Sequence, residues 1–197
     1  GIIQPVYKTL EIIMSDTDRK HPTREKCLSI LYDYGTPQRV IAHCKAVTDA
    51  ALKIATALNM HGYDLGIELI RAAGLLHDIA RVEDLHWEVG ARKIRELGYE
   101  MEADIIRAHM LYSDFSPIEK IKEIDIVCIG DRLVRDDRYV GMEARMQYII
   151  EKVKSQGRSV DADRIREKMA GMGKLLDDIE KATGMEIDEI MKMKGIE

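Results

Sequence analysis

The apolar residues of segment 37–60 recur at alternating steps of four and three: Val40, Cys44, Val47, Ala51, Ile54 and Leu58. An α-helix turns through about 100° per residue, so these side chains line one continuous stripe that must be buried. The same period returns near 24–34, 65–80, 86–97, 102–112, 142–155, 162–182 and 186–194. Breaks fall at Gly35, at "HGYD" (61–64), near Gly98, at "SDFSP" (113–117) and at Gly157. Thr36-Pro37 and Ser116-Pro117 put proline at a first helical position, and Ser116 with Glu119 fits a capping box. The stretch "IDIVCIGDRLV" (124–134) is rich in β-branched residues, but no partner strand is evident, so it too reads as a buried helix. The expected fold is all-α, a single helical bundle with extra C-terminal helices and no repeats.

Three parts are expected in that one domain: an N-terminal extension over 1–20, a core over 21–157, and a C-terminal helical extension over 158–197. The last would pack on the core or on a partner, and offers a surface for a homodimer. With 46% hydrophobic and 33% charged residues, the chain can bury one sizeable core. The net charge is −5 and the Lys and Arg residues are spread out, so no footprint for extended nucleic acid is visible. A small anionic substrate needs only a local basic patch or a metal. Cys27, Cys44 and Cys128 are scattered and odd in number, as in a cytoplasmic protein with reduced thiols. No apolar run is long enough to cross a bilayer, and no signal peptide is evident.

The histidines divide into two kinds. His21, before Pro22 in a polar linker, and His61, in a turn before Gly62, are expected to be exposed and uninvolved. The other four lie on apolar stripes. His43 stands three after Val40 and four before Val47, and His77 stands four after Ala73. His86 precedes Val89 by three, and His109 follows Ile105 and Ile106 by four and three. Asp131 follows Val127 and Cys128 in the same way. Each occupies a place where leucine would be expected. One such histidine is commonly a core residue bonded to a carbonyl. Five inward polar groups on successive helices, with Asp78 beside His77, are better explained by a shared metal site, because buried charges persist only when paired or bound to a cation. Imidazole and carboxylate suit one or two divalent ions of Fe, Mn, Co, Ni or Zn. His77 and Asp78, pointing about 100° apart on a helix, can approach one cation from two sides or bridge two.

The pattern His43 … His77-Asp78 … Asp131, with the lead-in "AAGLLHD", resembles the H…HD…D signature of the HD superfamily of metal-dependent phosphohydrolases. Residues 37–140 carry it. "IGDRLVRDDR" resembles that family's A-D-K-L segment, with Arg132 in place of lysine. His86 and His109 resemble the two extra histidines of the binuclear subset, which includes the HD-type diadenosine tetraphosphate hydrolases. "PTREKC", "HDIAR", "LGYE", "RAHM" and "RLVRDDR" are similar to HD domains found alone or fused to nucleotidyltransferases of the molybdenum cofactor type. The resemblance implies that His43, His77, Asp78 and Asp131 hold one metal, and that Asp78 bridges to a second held by His86 and His109.

The implied chemistry is hydrolysis of a phosphate ester or anhydride of a nucleotide-like molecule. A bound divalent cation lowers the pKa of its water to about 7, and the hydroxide so supplied attacks phosphorus in line. Asp78 can relay a proton if it is not fully committed as a bridge. Arg81, Arg132, Arg135 and Arg138 are candidates for holding the phosphate, since the guanidinium fork matches its oxygens. The alternative for each is a solvated helix end paired with Glu83, Asp136 or Asp137. A second class of function is a metal-containing nucleotide-sensing or accessory module that partners a cofactor-maturation nucleotidyltransferase.

Overall fold

A computed structural model describes residues 20–159 and 161–195; apart from Lys20, the extension expected over 1–20 lies outside them. Helix α1 (Arg24–Tyr34) starts where the Thr23 side chain accepts the Lys26 N–H at 3.1 Å and stops at Gly35, whose φ of 84° glycine adopts without strain. The long helix α2 (Gln38–Asn59) carries the stripe that opens the sequence, and Val40, Cys44, Val47, Ala51, Ile54 and Leu58 are all buried. Helices α3 (Ile67–Leu76) and α6 (Glu123–Leu133) pack against α2. Both approaches depend on glycine. A β-carbon on Gly74 would lie 2.6 Å from Thr48 Oγ1, and one on Gly130 would lie 2.8 Å from the Val47 carbonyl oxygen. Helices α4 (His86–Glu96) and α5 (Glu100–Ala108) pair with each other, and α5 also packs on α3.

Two buried clusters meet on α3. One gathers Leu31, Leu76, Ile79, Ile94 and Ile106, joining α1, α3, α4 and α5. The other joins α2, Ile70 and Ile126 to α8 (Ala162–Thr183) and α9 (Ile187–Met191) through Met172, Leu175, Ile179 and Ile190. The C-terminal helices therefore pack on the core. Helix α7 (Met142–Ser155) bridges α6 and α8. Among the described residues no helix is long and apolar enough to cross a membrane.

Four local expectations are corrected. The helix expected over 65–80 ends at Leu76, and the chain then proceeds in tight turns, with Ile79 N–H on Leu76 O at 3.1 Å and Arg81 N–H on Asp78 O at 2.9 Å. The His77 ring itself takes the Gly74 carbonyl, at 2.7 Å, and so competes for an acceptor of the helical ladder. Ser116-Pro117 opens only a 3-10 turn, Ile118–Lys120. Asp125 captures the Ser116 N–H at 3.0 Å and the Lys122 N–H at 2.8 Å, so the cap belongs to α6 instead. The buried helix expected over 124–134 is present, but strand β1 (Val134–Arg135) follows it and pairs antiparallel with β2 (Arg138–Tyr139). Finally, His21 is largely buried: its Nδ1 lies 2.5 Å from Oε1 of the fully buried Glu102. A buried carboxylate needs such a partner. His61 is exposed, as expected.

Candidate metal centre

The six polar side chains that interrupt the apolar stripes converge. His43 comes from α2, His77 and Asp78 from the turn that ends α3, His86 from the start of α4, His109 from the end of α5 and Asp131 from α6. His77, Asp78, His86 and His109 are buried. The Asp78 carboxylate faces two ways. Its Oδ2 lies 3.6 Å from both His43 Nε2 and His77 Nε2, while its Oδ1 lies 3.4 Å from His86 Nε2 and 3.6 Å from His109 Nε2. Asp131 Oδ1 completes the first side, 3.1 Å from His43 Nε2 and 3.4 Å from His77 Nε2. Ligand atoms of His43, His77 and Asp131 all lie within 4.8 Å of one another, as do those of His77, Asp78 and His109.

The rings are oriented from behind. Nδ1 of His77 donates to the Gly74 carbonyl at 2.7 Å, Nδ1 of His109 to Ile106 O at 2.6 Å, and Nδ1 of His43 to Asp136 O at 2.6 Å. Each such bond fixes the tautomer whose Nε2 lone pair points inward, the usual support of a metal-bound imidazole. Backbone geometry contributes too. Leu85, exposed and left-handed at φ 52°, reverses the chain immediately before His86, and Asp136, at φ 55° in the hairpin turn, presents its carbonyl to His43. A left-handed leucine costs about 1–2 kcal/mol, and such strain collects at functional positions.

A cation fits this donor set. Nε2 of His77, His86 and His109 is buried in each case without a hydrogen-bond partner among the described residues. An orphaned buried polar atom is costly, and one or two divalent ions among these ligands would satisfy all three. The charges are already organised for it. Burial opposes the ionised form of Asp78, yet His77, His109 and His86 outweigh it and hold the carboxyl well below the ordinary range. Asp131 is likewise held low by His43 and His77 against burial. Burial also disfavours the His77 imidazolium, but Asp78, Cys44 and Asp131 raise its pKa well above the usual value.

A cavity of about 590 Å³ opens over the centre, with His43, Asp78 and Asp131 in its lining. Of the expected phosphate-binding arginines it brings in Arg81 and Arg135. Arg81 is half-exposed, with Nε 3.7 Å from Asp78 Oδ2. Arg135 stacks on Tyr148, its guanidinium 4.0 Å from the ring centroid. Arg138 is exposed on β2 and is not part of the lining. Arg132 turns away from the cavity: Nη2 donates to the carbonyls of Tyr112 and His109, and the guanidinium sits 5.3 Å over Phe115. The cavity also contains Arg39, Arg145, Tyr148 and Lys152, which reading the sequence had missed. A signal existed. Arg39 precedes His43 by one turn, and Arg145, Tyr148 and Lys152 follow at steps of three and four on one face of α7.

The HD domain family matches residues 40–136. The chain is 37% identical over 101 residues to an uncharacterised protein of Methanocaldococcus jannaschii, covering 50% of this chain and 59% of that protein. It is also 29% identical over 186 residues to a tRNA (cytidine(56)-2'-O)-methyltransferase of Thermoplasma volcanium, covering 86% of this chain and 50% of that enzyme. The chain thus spans between half and three fifths of the length of these relatives. No solved structure matches it. Residues 40–136, which carry all six converging side chains, are an HD domain of the HD superfamily.

Proposed function

We propose that the chain is a metal-dependent phosphohydrolase that cleaves a phosphate ester or anhydride of a small, nucleotide-like molecule. The observation that carries this reading is the two-sided placement of Asp78, with two imidazole Nε2 atoms facing each of its oxygens. Such a carboxylate suits a bridge between two cations. A divalent metal supplies a nucleophilic water at neutral pH and neutralises the phosphoryl oxygens. The protein's own part is to orient the ligands and the substrate. Carbonyls of Gly74, Ile106 and Asp136 hold the rings in register. Arg81, at the mouth, would donate its N–H groups to a phosphoryl oxygen, and Arg135 would do so from the edge of its stack on Tyr148. The test is turnover of p-nitrophenyl phosphate, bis(p-nitrophenyl) phosphate and a nucleotide panel with Mn²⁺ or Fe²⁺. Metal-dependent release of phosphate or of an ester product supports the reading; no turnover with any metal by a metal-loaded protein contradicts it.

A second reading has its own support. The long alignment places this chain opposite about half of an enzyme named for tRNA methylation. A metal-containing accessory or sensing module joined to, or partnered with, a nucleotide- or RNA-modifying enzyme would fit that alignment. Tight nucleotide binding without hydrolysis would favour it.

A further inference from the structure

The side of the cavity formed by α7 serves neither the six ligands nor the orientation of their rings. It brings Arg145, Tyr148 and Lys152 into one cavity with Arg39 and Arg135. With Arg81, five cationic side chains line the cavity, against two carboxylates outside the ligand set among the described residues, Asp136 and Asp137. The chain as a whole carries a net charge of −5, so this is a local reversal of sign. Arg81 already lies 3.7 Å from Asp78 and Arg135 lies 4.0 Å from Asp136, whereas among the described residues Arg39 and Lys152 form no ion pair. Among the described residues, the buried Nε of Arg145 has no acceptor. Its guanidinium and that of Arg135 both lie against the Tyr148 ring, 5.5 and 4.0 Å from the centroid. Two like charges against one ring repel each other, and one carries an unanswered buried N–H, so a bound anion would offset both costs. Helix α7 lies outside residues 40–136, so this wall is a feature of the chain beyond its HD domain.

We propose that Arg39, Arg135, Arg145 and Lys152 form a second anion subsite, and that the molecule bound in the cavity carries at least two phosphoryl groups. One sits over the metal centre; the other, not cleaved there, sits on the α7 wall. The substrate class is then a nucleotide-like compound with a polyphosphate chain or a second, separate phosphate, rather than a simple phosphomonoester. A cavity of about 590 Å³ is in the range of small-molecule sites, which favours such a compound over a nucleic acid strand. The inference rests on reading the centre as a phosphohydrolase site, but its test does not pass through metal or turnover.

Calorimetric titration of the chelator-treated protein with inorganic tripolyphosphate and with orthophosphate reads the subsite directly. The expected result is that tripolyphosphate binds at least tenfold more tightly than orthophosphate. K152Q should weaken that binding about threefold and R145Q with K152Q tenfold or more, while K154Q, an exposed change on the same helix outside the cavity, leaves it unchanged. Lys152 is exposed, so K152Q keeps the test valid even if Arg145 variants fail to fold. Tripolyphosphate binding that is absent, or indifferent to K152Q, overturns the subsite. A ten-residue single-stranded RNA that binds more tightly than tripolyphosphate overturns the small-molecule assignment.

Discussion

Gly130 lies so close to Val47 that a β-carbon on it would sit 2.8 Å from the Val47 carbonyl oxygen and 3.1 Å from Ala51 Cβ. Backbone cannot yield as a side-chain tip can, so Gly130→Ala must push α6 from α2. Overpacking of this kind costs about 1–3 kcal/mol. His43 and Asp131 ride on these two helices, and their 3.1 Å approach would open with them. We expect a lower melting temperature and metal affinity reduced on the order of tenfold, as for other groups that orient metal ligands, measured by thermal melting and metal titration.

Arg81 and Arg132 should separate cleanly. Arg81 is exposed and borders the cavity, so Arg81→Ala should leave stability within about 0.5 kcal/mol. Turnover of p-nitrophenyl phosphate should fall roughly 10-fold or more, the worth of a charged hydrogen bond to phosphate. Arg132 ties the carbonyls of Tyr112 and His109 to α6. Arg132→Ala should therefore lower stability by about 1–2 kcal/mol through the lost bonds. Paired melting and kinetic measurements decide, and the reverse pattern contradicts the assignment.

Proton and metal compete at His77. Its pKa in the metal-free protein is raised well above 6.5, because Asp78, Cys44 and Asp131 outweigh the opposing effect of burial. The stability this gives the metal-free fold is fully present below the unfolded value and is lost as pH rises through the raised folded value. Asp78 and Asp131, held low, stay ionised throughout that window. A cation must displace the His77 proton, so metal affinity rises with pH. Melting curves should show the chelated protein losing stability above pH 6.5 and the increment due to added Mn²⁺ growing over the same range. An increment that shrinks with pH contradicts this account.

The three cysteines are buried, and among the described residues none is in a disulfide. Burial, with Asp131 and Asp125 nearby, pushes the Cys128 thiol up to about 12 against the opposing effect of Arg132 and His77. Little thiolate exists there at ordinary pH, and the thiolate is the nucleophile. Iodoacetamide at about pH 8.5 should leave Cys128 unmodified in the native protein and label it after denaturation, as read by mass spectrometry.

What was legible in the sequence follows from periodicity. A histidine or aspartate in a leucine position declares itself on any helix with a clear stripe, which is why His43, His77, His86, His109 and Asp131 could be singled out and why the structure finds them together. The end of α3 at Leu76 could not be read that way. The turns through Asp78 and Arg81 keep the apolar spacing, and only the capture of the Gly74 carbonyl by the His77 ring marks the break. The pairing of His21 with Glu102 joins residues 81 apart, so neither neighbourhood announces it. Arg145 and Lys152 look like any solvated helical face until the packing of α7 turns them into the cavity. The same holds in reverse for Arg132, whose place in "GDRLVRDDR" suggested phosphate but whose guanidinium holds a loop.

The central claim is that Asp78 joins two groups of ligands around divalent metal. Elemental analysis of the purified wild-type protein, beside His77→Ala and His86→Ala variants that retain the helical fold by circular dichroism, tests it most directly. The account predicts two transition-metal ions per wild-type chain, one retained in His86→Ala, and severe loss in His77→Ala. A wild-type protein without bound transition metal after reconstitution, or a metal content untouched by His77→Ala, would contradict it.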